Sequence, residues 1–251
     1  MNDPQTVLST SVDHLGQVVA DLDETQYTAQ AYPSEWNVAQ VMSHIGSGAV
    51  ISRHAIDATA NGAEVPDGFN QSVWDEWNAK TPAAQVADAL VADRAVLERL
   101  AELSDDQRAA ARFSIGPMSL DLAGFLGMRV NEHALHTWDV EVVANPTATV
   151  PSDAAAIIVG TLPLIAGFSA RPDGTEREIT IHTTDPEHDF VLRIGAERVA
   201  LEPAGATDGA TLTLPAEALA RLVYGRLDAA HTPAGLDESV LATLRPTFPG
   251  F

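Results

Sequence analysis

The sequence predicts a protein of class α plus α+β, with a four-helix bundle over residues 1–145 and a smaller α+β domain with an antiparallel sheet over residues 152–251. Two observations support this. Apolar residues recur at helical spacing in four segments of the first part, whereas the second part contains short alternating or β-rich runs. Between them, the stretch NPTATVP at residues 145–151 has the composition of a linker.

The first three predicted helices are located by apolar spacing and by their end signals. The first covers residues 4–24. Asn37 and Gln40 form a capping box, which predicts that the second helix begins near Val38. A Thr-Pro pair opens the third, over residues 82–103.

Two connecting segments of the first domain are predicted without regular structure. Residues 61–78 are rich in Gly, Pro and polar side chains and are interpreted as a long loop. Trp74 and Trp77 leave two alternatives for it: a functional lid, or a pair of indoles that cover the end of the bundle. The segment SDDQRAAARFSIGPM, at residues 104–118, is interpreted as a linker to the fourth helix.

The fourth helix, within residues 119–144, has a mixed stripe of apolar and ionisable side chains. At about 100° per residue, six of them project within about 40° of one direction; they are Phe125, Met128, Glu132, His136, Asp139 and Val143. Such a stripe normally faces the core, where an unpaired carboxylate is costly. Glu132 and His136 therefore need a partner.

A metal ion is one such partner. Glu132 and His136 are four residues apart and project from adjacent turns, which suits two ligands of one cation. His44, at the edge of the apolar face of the second helix, is a third candidate ligand. The residues alone leave two alternatives open. Glu132 and His136 either hydrogen-bond each other or lie on the solvated side, and His44 is then a boundary histidine bonded to a backbone carbonyl.

The amino-acid composition limits the possible partners, metal ligands and nucleophiles of the protein. The net charge of −21, from 14 basic and 35 acidic residues, argues against nucleic acid as a partner because it repels a phosphate backbone. There is no cysteine, so a metal must be held by His and carboxylate, and thiol chemistry requires a small-molecule thiol. No apolar run approaches the roughly 18 residues of a membrane span and no signal peptide is evident, which predicts a cytoplasmic protein without a membrane partner.

The second domain is predicted from residue 152 onward. Residues 152–168 have a helical pattern that Gly160 and Pro163 weaken. Four β-rich runs follow, which are EITIHTT, DFVLRIG, RVALEP and ATLTLP. The segments PAEALARLVYGR and LDESVLATLRPTF then form helices. We predict helices packed on an antiparallel sheet.

Four motifs carry a resemblance to a known family. They are Trp36 with NVAQVMSHIG, then NEHALHTWDVE, VYGRLD and the closing LRPTFPGF. In this order they resemble the mycothiol-dependent maleylpyruvate isomerase family, whose N-terminal half is similar to the DinB-like metal-binding bundles. The resemblance implies a sterol-carrier-like second domain.

The resemblance also implies roles for individual residues. The family's metal ligands fall on His44, Glu132 and His136, and the implied ion is divalent, with zinc as the first expectation. Asp139 would orient a ligand histidine or a metal-bound water, the alternative being a salt bridge to an arginine. Arg226 is our candidate for the arginine that binds an anionic substrate. Its competitor is Arg221, one turn earlier on the same predicted helix.

The implied reaction uses mycothiol as a thiol cosubstrate. A thiolate adds to the activated double bond of a cis-unsaturated dicarboxylate, the new single bond rotates, and expulsion of the thiolate leaves the trans isomer. The alternatives are a mycothiol S-transferase acting on other electrophiles, metal-assisted hydrolysis without thiol, and a non-catalytic metal-binding or regulatory protein. The expected partners are small molecules, and the expected assembly is a monomer or a homodimer.

Overall fold

The computed structural model describes residues 3–115, 118–205 and 211–250. The chain divides into two compact units, a helical unit, Asp3–Ala148, and a C-terminal unit that begins at Thr149. The predicted fold class is confirmed, with helices in the first unit and helices plus a sheet in the second. Gly116 and Pro117 of the predicted linker and Ala210 of the run ATLTLP lie outside the described residues.

The helical unit contains six α-helices and one hairpin within its described residues. The helices are α1 (Pro4–Ala20), α2 (Val38–Ala60), α3 (Phe69–Asn78), α4 (Pro82–Ala101), α5 (Asp105–Ala110) and α6 (Leu122–Glu141), with a 3₁₀ helix at Glu24–Thr28. The hairpin consists of β1 (Phe113–Ile115) and β2 (Met118–Leu120). Helix α2 packs along α4 and α1 along α6, and further contacts join α1 to α4 and α2 to α6.

The capping signals place the long helices as predicted. The Gln40 backbone N–H donates to Asn37 Oδ1 at 2.9 Å, and the Asn37 N–H donates to Gln40 Oε1 at 2.9 Å. This reciprocal pair satisfies two N–H groups at the start of α2, so the helix begins at Val38. The first predicted helix is shorter than expected, because it ends at Ala20.

The loop predicted over residues 61–78 is wrong in its second half, where α3 forms. Val73 and Trp77, four residues apart, give this short helix a buried stripe, and Trp77 is only 3% exposed. Its indole packs against Gly46, where a Cβ atom would lie 2.2 Å from Trp77 Cη2. Trp77 therefore fills the space between α2 and α3, whereas Trp74 is exposed.

The segment predicted as a linker is also structured. Ser104 and Gln107 form a capping box that starts α5, and Phe113 of β1 pairs with Leu120 of β2. These elements are too short for the apolar periodicity that marks longer helices and strands, which explains why the sequence did not indicate them.

The C-terminal unit begins with α7 (Ser152–Ser169) and ends with α9 (Glu238–Leu244) followed by a 3₁₀ turn. Between them lie β3 (Arg177–Thr184), β4 (His188–Ile194), β5 (Val199–Pro203), β6 (Leu212–Pro215) and α8 (Ala216–Val223). Among the described residues the sheet has the order β5-β4-β3-β6. Helix α7 packs on α8 and β5, and α8 on β3 and β6.

The sheet is mixed rather than wholly antiparallel. Strands β3, β4 and β5 pair antiparallel as predicted, with Ile181 of β3 opposite Phe190 of β4. Strand β6 instead runs parallel to β3, with Leu212 opposite Ile181. The reason is the connection: β6 does not pair with β5, its neighbour in sequence, but crosses to the far edge of the sheet.

Helix α7 corrects the expectation that no stretch is long and apolar enough to span a membrane. By length and composition it is such a stretch among the described residues, in spite of Gly160 and Pro163. Its side chains Ile158 and Leu162 are fully buried, and the helix packs on α8 and β5. One face of the helix therefore belongs to the core of the C-terminal unit, whereas Leu164 and Phe168 are exposed.

Candidate metal centre

The three residues predicted as metal ligands come together in the helical unit. Contact between α2 and α6 places His44 beside Glu132 and His136, and one ligand atom from each lies within 4.8 Å of the others. His44 Nε2 is 3.2 Å from Glu132 Oε2, and His136 Nε2 is 3.6 Å from the same oxygen. Residues 88 positions apart in sequence thus share one small volume.

The donor set and its spacing fit a divalent ion such as zinc. Two imidazole nitrogens and one carboxylate oxygen are a common protein ligand set for Zn²⁺, and ligand atoms of a tetrahedral site lie about 3.3 Å apart. The two nitrogen-to-oxygen distances of 3.2 and 3.6 Å bracket that value. Three protein ligands leave room for a fourth, exchangeable ligand, which is the arrangement of catalytic zinc sites.

Asp139 lies directly behind His136. Its carboxylate is fully buried, and Oδ2 is 2.8 Å from His136 Nδ1. Because a carboxylate only accepts, the hydrogen bond places a proton on Nδ1, so that loss of the proton between Nε2 and Glu132 leaves the Nε2 lone pair for an ion. This is the tautomer in which His136 can act as a ligand through Nε2.

The site is accessible on one side. The His44 and Glu132 side chains are 39% and 47% exposed, whereas that of His136 is 11% exposed. The stripe predicted to face the core therefore does so at His136 and Asp139 but leaves Glu132 at the surface. Partial enclosure raises the pKa of Glu132, and hydrogen bonds from His136 and His44 lower it by more, so the net pKa lies well below its usual value. Glu132 is thus ionised at neutral pH.

The family model described as the mycothiol maleylpyruvate isomerase N-terminal domain matches residues 8–141, which is more than half of the chain. The chain belongs to this family. The matched range contains His44, Glu132, His136 and Asp139.

Two solved structures share the fold of this family member over nearly its whole length. One is described as the crystal structure of the mycothiol-dependent maleylpyruvate isomerase; it is 14% identical, covers 99% of this chain and 95% of that chain, and has a TM-score of 0.68. The other is a histidine-to-alanine mutant of the mycothiol-dependent maleylpyruvate isomerase, 13% identical, covering 92% and 93%, with a TM-score of 0.65. At these identities the likeness establishes the fold alone. No curated protein matches the sequence.

An aromatic wall borders the site in this member of the maleylpyruvate isomerase family. The Trp36 ring centroid is 5.2 Å from that of His44 and 6.0 Å from that of His136. Gln30 Nε2 donates to the Trp36 carbonyl at 2.7 Å, which holds the segment before α2 in place. The sequence identified Trp36 only as part of a family motif, because a loop residue gives no indication of the ring against which it packs.

The two candidate arginines lie in the C-terminal unit and differ sharply. Arg221 is 1% exposed, donates twice to Glu217, and also donates to the His231 carbonyl at 2.8 Å. It therefore has a structural role within its unit, which argues against it as the anion-binding residue. Arg226 is half-buried, and its Nη1 donates to the Tyr224 carbonyl at 3.0 Å.

Arg226 also lies outside the helix on which it was predicted. Helix α8 ends at Val223, and Gly225 adopts a φ of +72°, the left-handed conformation that terminates helices. Arg226 follows this turn. Its assignment to substrate binding stays a prediction that rests on the family resemblance.

The sequence missed a second polar cluster, on the face of α6 adjacent to the candidate ligands. Arg129 and Asp93 form a buried ion pair at 2.8 Å, and Asp93 Oδ2 is also 3.0 Å from His133 Nε2. His133 Nδ1 is in turn 2.8 Å from Ser11 Oγ. Arg129 and His133 are four residues apart, so their spacing on one helix was a usable signal. Asp93 and Ser11 lie on other helices and gave none.

This cluster, Ser11–Asp93–Arg129–His133, contains the residue types of a hydrolase triad but is inaccessible. Ser11 and Asp93 are 6% and 2% exposed, and His133 is fully buried. Burial raises the pKa of Asp93, and the facing His133 and Arg129 lower it by more, so the net pKa is below its usual value. The cluster is a structural ion-pair network that joins α1, α4 and α6.

Proposed function

We propose that the protein is a metal-dependent enzyme that uses mycothiol on an electrophilic substrate, with cis–trans isomerisation of maleylpyruvate as its reaction. One observation carries the proposal. In a member of this family, two histidines and a glutamate from two helices converge within 4.8 Å, with a buried aspartate behind one histidine. The ion, when bound, would lower the pKa of the cosubstrate thiol and so supply a thiolate at neutral pH.

Each residue of the centre has a distinct task in this proposal. His44, Glu132 and His136 hold the ion through one atom each, and the negative charge of Glu132 offsets part of its charge. Asp139 holds His136 in the correct tautomer. The exposed sides of His44 and Glu132 leave a path for a thiol and a substrate to enter from solvent.

The chain's composition supports a thiol from outside the protein. With no cysteine, the protein has no thiol nucleophile of its own, so the attacking sulfur must come from a small molecule such as mycothiol. Arg226 is proposed to bind a substrate carboxylate through its planar guanidinium group. The thiolate would add to the double bond, and after rotation about the single bond its expulsion would release the trans product.

The metal site is tested first by metal analysis of protein purified without chelator. We expect about one zinc per chain in the wild type and a large loss in His44→Ala. His54→Ala is the matched control, because His54 lies on the same helix but stacks on Phe69 at a ring distance of 3.9 Å, outside the ligand cluster. Equal metal content in wild type and His44→Ala would contradict the site.

The reaction is tested by following maleylpyruvate with and without mycothiol. Thiol-dependent formation of the trans isomer with no net consumption of thiol is the expected result. Stoichiometric loss of thiol into a stable adduct would instead indicate an S-transferase. Turnover without thiol would indicate hydrolysis, and a zinc-loaded protein with no turnover would indicate a non-catalytic metal-binding protein.

A further inference from the structure

Arg129 connects the two helices that carry the candidate ligands. Its Nη2 donates to the Ile45 carbonyl at 2.9 Å and to Asp93 Oδ1 at 2.8 Å. Ile45 is the residue that follows His44 on α2, and Arg129 lies one turn before Glu132 and His133 on α6. A single guanidinium group thus joins α6 to α2 directly beside the metal centre and to α4 through Asp93.

We propose that Arg129 is a positioning residue for the metal centre: it fixes the separation of α2 and α6 that brings His44 against Glu132 and His136. The inference rests on the proposed metal site and concerns how that site is assembled. It assigns Arg129 no contact with the ion or with substrate.

The surroundings of Arg129 make this bridge rigid. Arg129 is 8% exposed and Asp93 is 2% exposed, so their ion pair is shielded from solvent and from salt. Both Asp93 oxygens are engaged, one by Arg129 and the other by His133, which also contacts Ser11 of α1. The guanidinium group is therefore held directly by α2 and α4, and Ser11 of α1 supports His133, which contacts Asp93.

A glycine makes room for the guanidinium group on α2. A Cβ atom at Gly48 would lie 2.8 Å from Arg129 Nη1, which is too close for a packed contact. Gly48→Ala would therefore displace the end of the Arg129 side chain without removing its charge. Because the atom that the new Cβ would meet is the end of a long side chain and not backbone, helix α2 itself can retain its place.

The chain also offers matched controls. Arg99 and Asp57 form a second ion pair that joins α4 to α2, but it does not involve α6. Arg99→Lys weakens an interhelical pair of the same kind away from the ligands. Gly16→Ala, on α1, is the control for a helical glycine, because a Cβ there meets nothing within 4 Å.

The test is a Co²⁺ titration of chelator-treated protein, read by the visible absorption of the bound ion. We expect Arg129→Lys and Gly48→Ala to raise the Co²⁺ dissociation constant by about 10- to 100-fold, as changes to residues that support metal ligands do. The visible absorption bands of the bound ion should also change. Arg99→Lys and Gly16→Ala should retain the wild-type constant within about two-fold. Circular dichroism and urea unfolding of the metal-free proteins show which variants are folded.

The outcomes separate this inference from the proposed function. If the wild type gives no Co²⁺ absorption, the metal site is wrong and the inference falls with it. If the wild type binds and both folded variants bind equally well, only the role of Arg129 is overturned. Should Arg129→Lys fail to fold, Gly48→Ala, which keeps the arginine, decides the question.

Discussion

Two polar clusters on adjacent faces of α6 each pair a histidine with a carboxylate, and they differ in exposure. The cluster of Glu132 and His136 is completed by His44, and two of its three side chains are more than a third exposed. The cluster of Arg129 and His133 is completed by Asp93 and Ser11, and its members are all buried. A histidine beside a carboxylate on a helix therefore does not distinguish a binding site from a structural cluster until its access to solvent is known.

The difference follows from what desolvation costs. A buried carboxylate must be balanced by protein groups, and Asp93 meets that need with both of its oxygens. An exposed carboxylate such as that of Glu132 is stabilised by water, and it can exchange that water for an ion at small cost. The exposed cluster is thus suited to binding, and the buried cluster to holding helices together.

The largest expected effect is on the buried cluster. Asp93→Ala leaves Arg129 and His133 buried without their carboxylate, which should lower the free energy of unfolding of the metal-free protein by about 3–5 kcal/mol. Urea unfolding followed by far-UV circular dichroism measures it. Asp88→Ala, on the same helix, removes an exposed partner of Lys80 and should cost less than about 1 kcal/mol. Equal costs for the two variants would contradict the contrast between the clusters.

At the exposed cluster we expect an effect of similar size on zinc affinity rather than on the free energy of unfolding. Glu132→Ala should weaken zinc binding by about 2.5–4 kcal/mol, taking binding energies of about 10–16 kcal/mol as shared among four ligands. The metal-free protein should remain folded, because the side chain that is lost is half-exposed. Isothermal titration with zinc measures the first quantity and urea unfolding the second.

His136→Ala should affect both zinc affinity and the stability of the metal-free protein. It should also lose zinc, but it leaves Asp139 buried beside a vacated position, so the metal-free protein should lose about 1–3 kcal/mol of stability. Full zinc occupancy in either variant would exclude these residues as ligands.

The smallest expected effect is a pH dependence of the buried cluster. Because the folded pKa of Asp93 is lowered, its carboxylate contributes stability above the unfolded pKa, near 3.9, and loses it as pH falls through the folded pKa. The difference in unfolding free energy between wild type and Asp93→Asn should therefore be constant near pH 5 and shrink below about pH 4. A difference that grows on acidification would show that the sign of the pKa shift is wrong.

Local signals in the sequence determined much of the helical unit. The Asn37 and Gln40 capping box predicted the start of α2 to the residue, because the hydrogen bonds that begin a helix are made by side chains within one turn. The spacing of Glu132 and His136 likewise predicted that they lie side by side, since both are on one helix.

Other features depended on which elements dock together. Helix α3 is positioned by Trp77, which packs on Gly46, and strand β6 by its pairing with β3. The buried cluster forms because Asp93 of α4 contacts Arg129 of α6. The sequence by itself therefore determined the long helices, the chemistry available without cysteine and the candidate ligands. Only the tertiary structure decided which polar residues are exposed and which are buried, because desolvation is a property of packed neighbours and not of spacing along the chain.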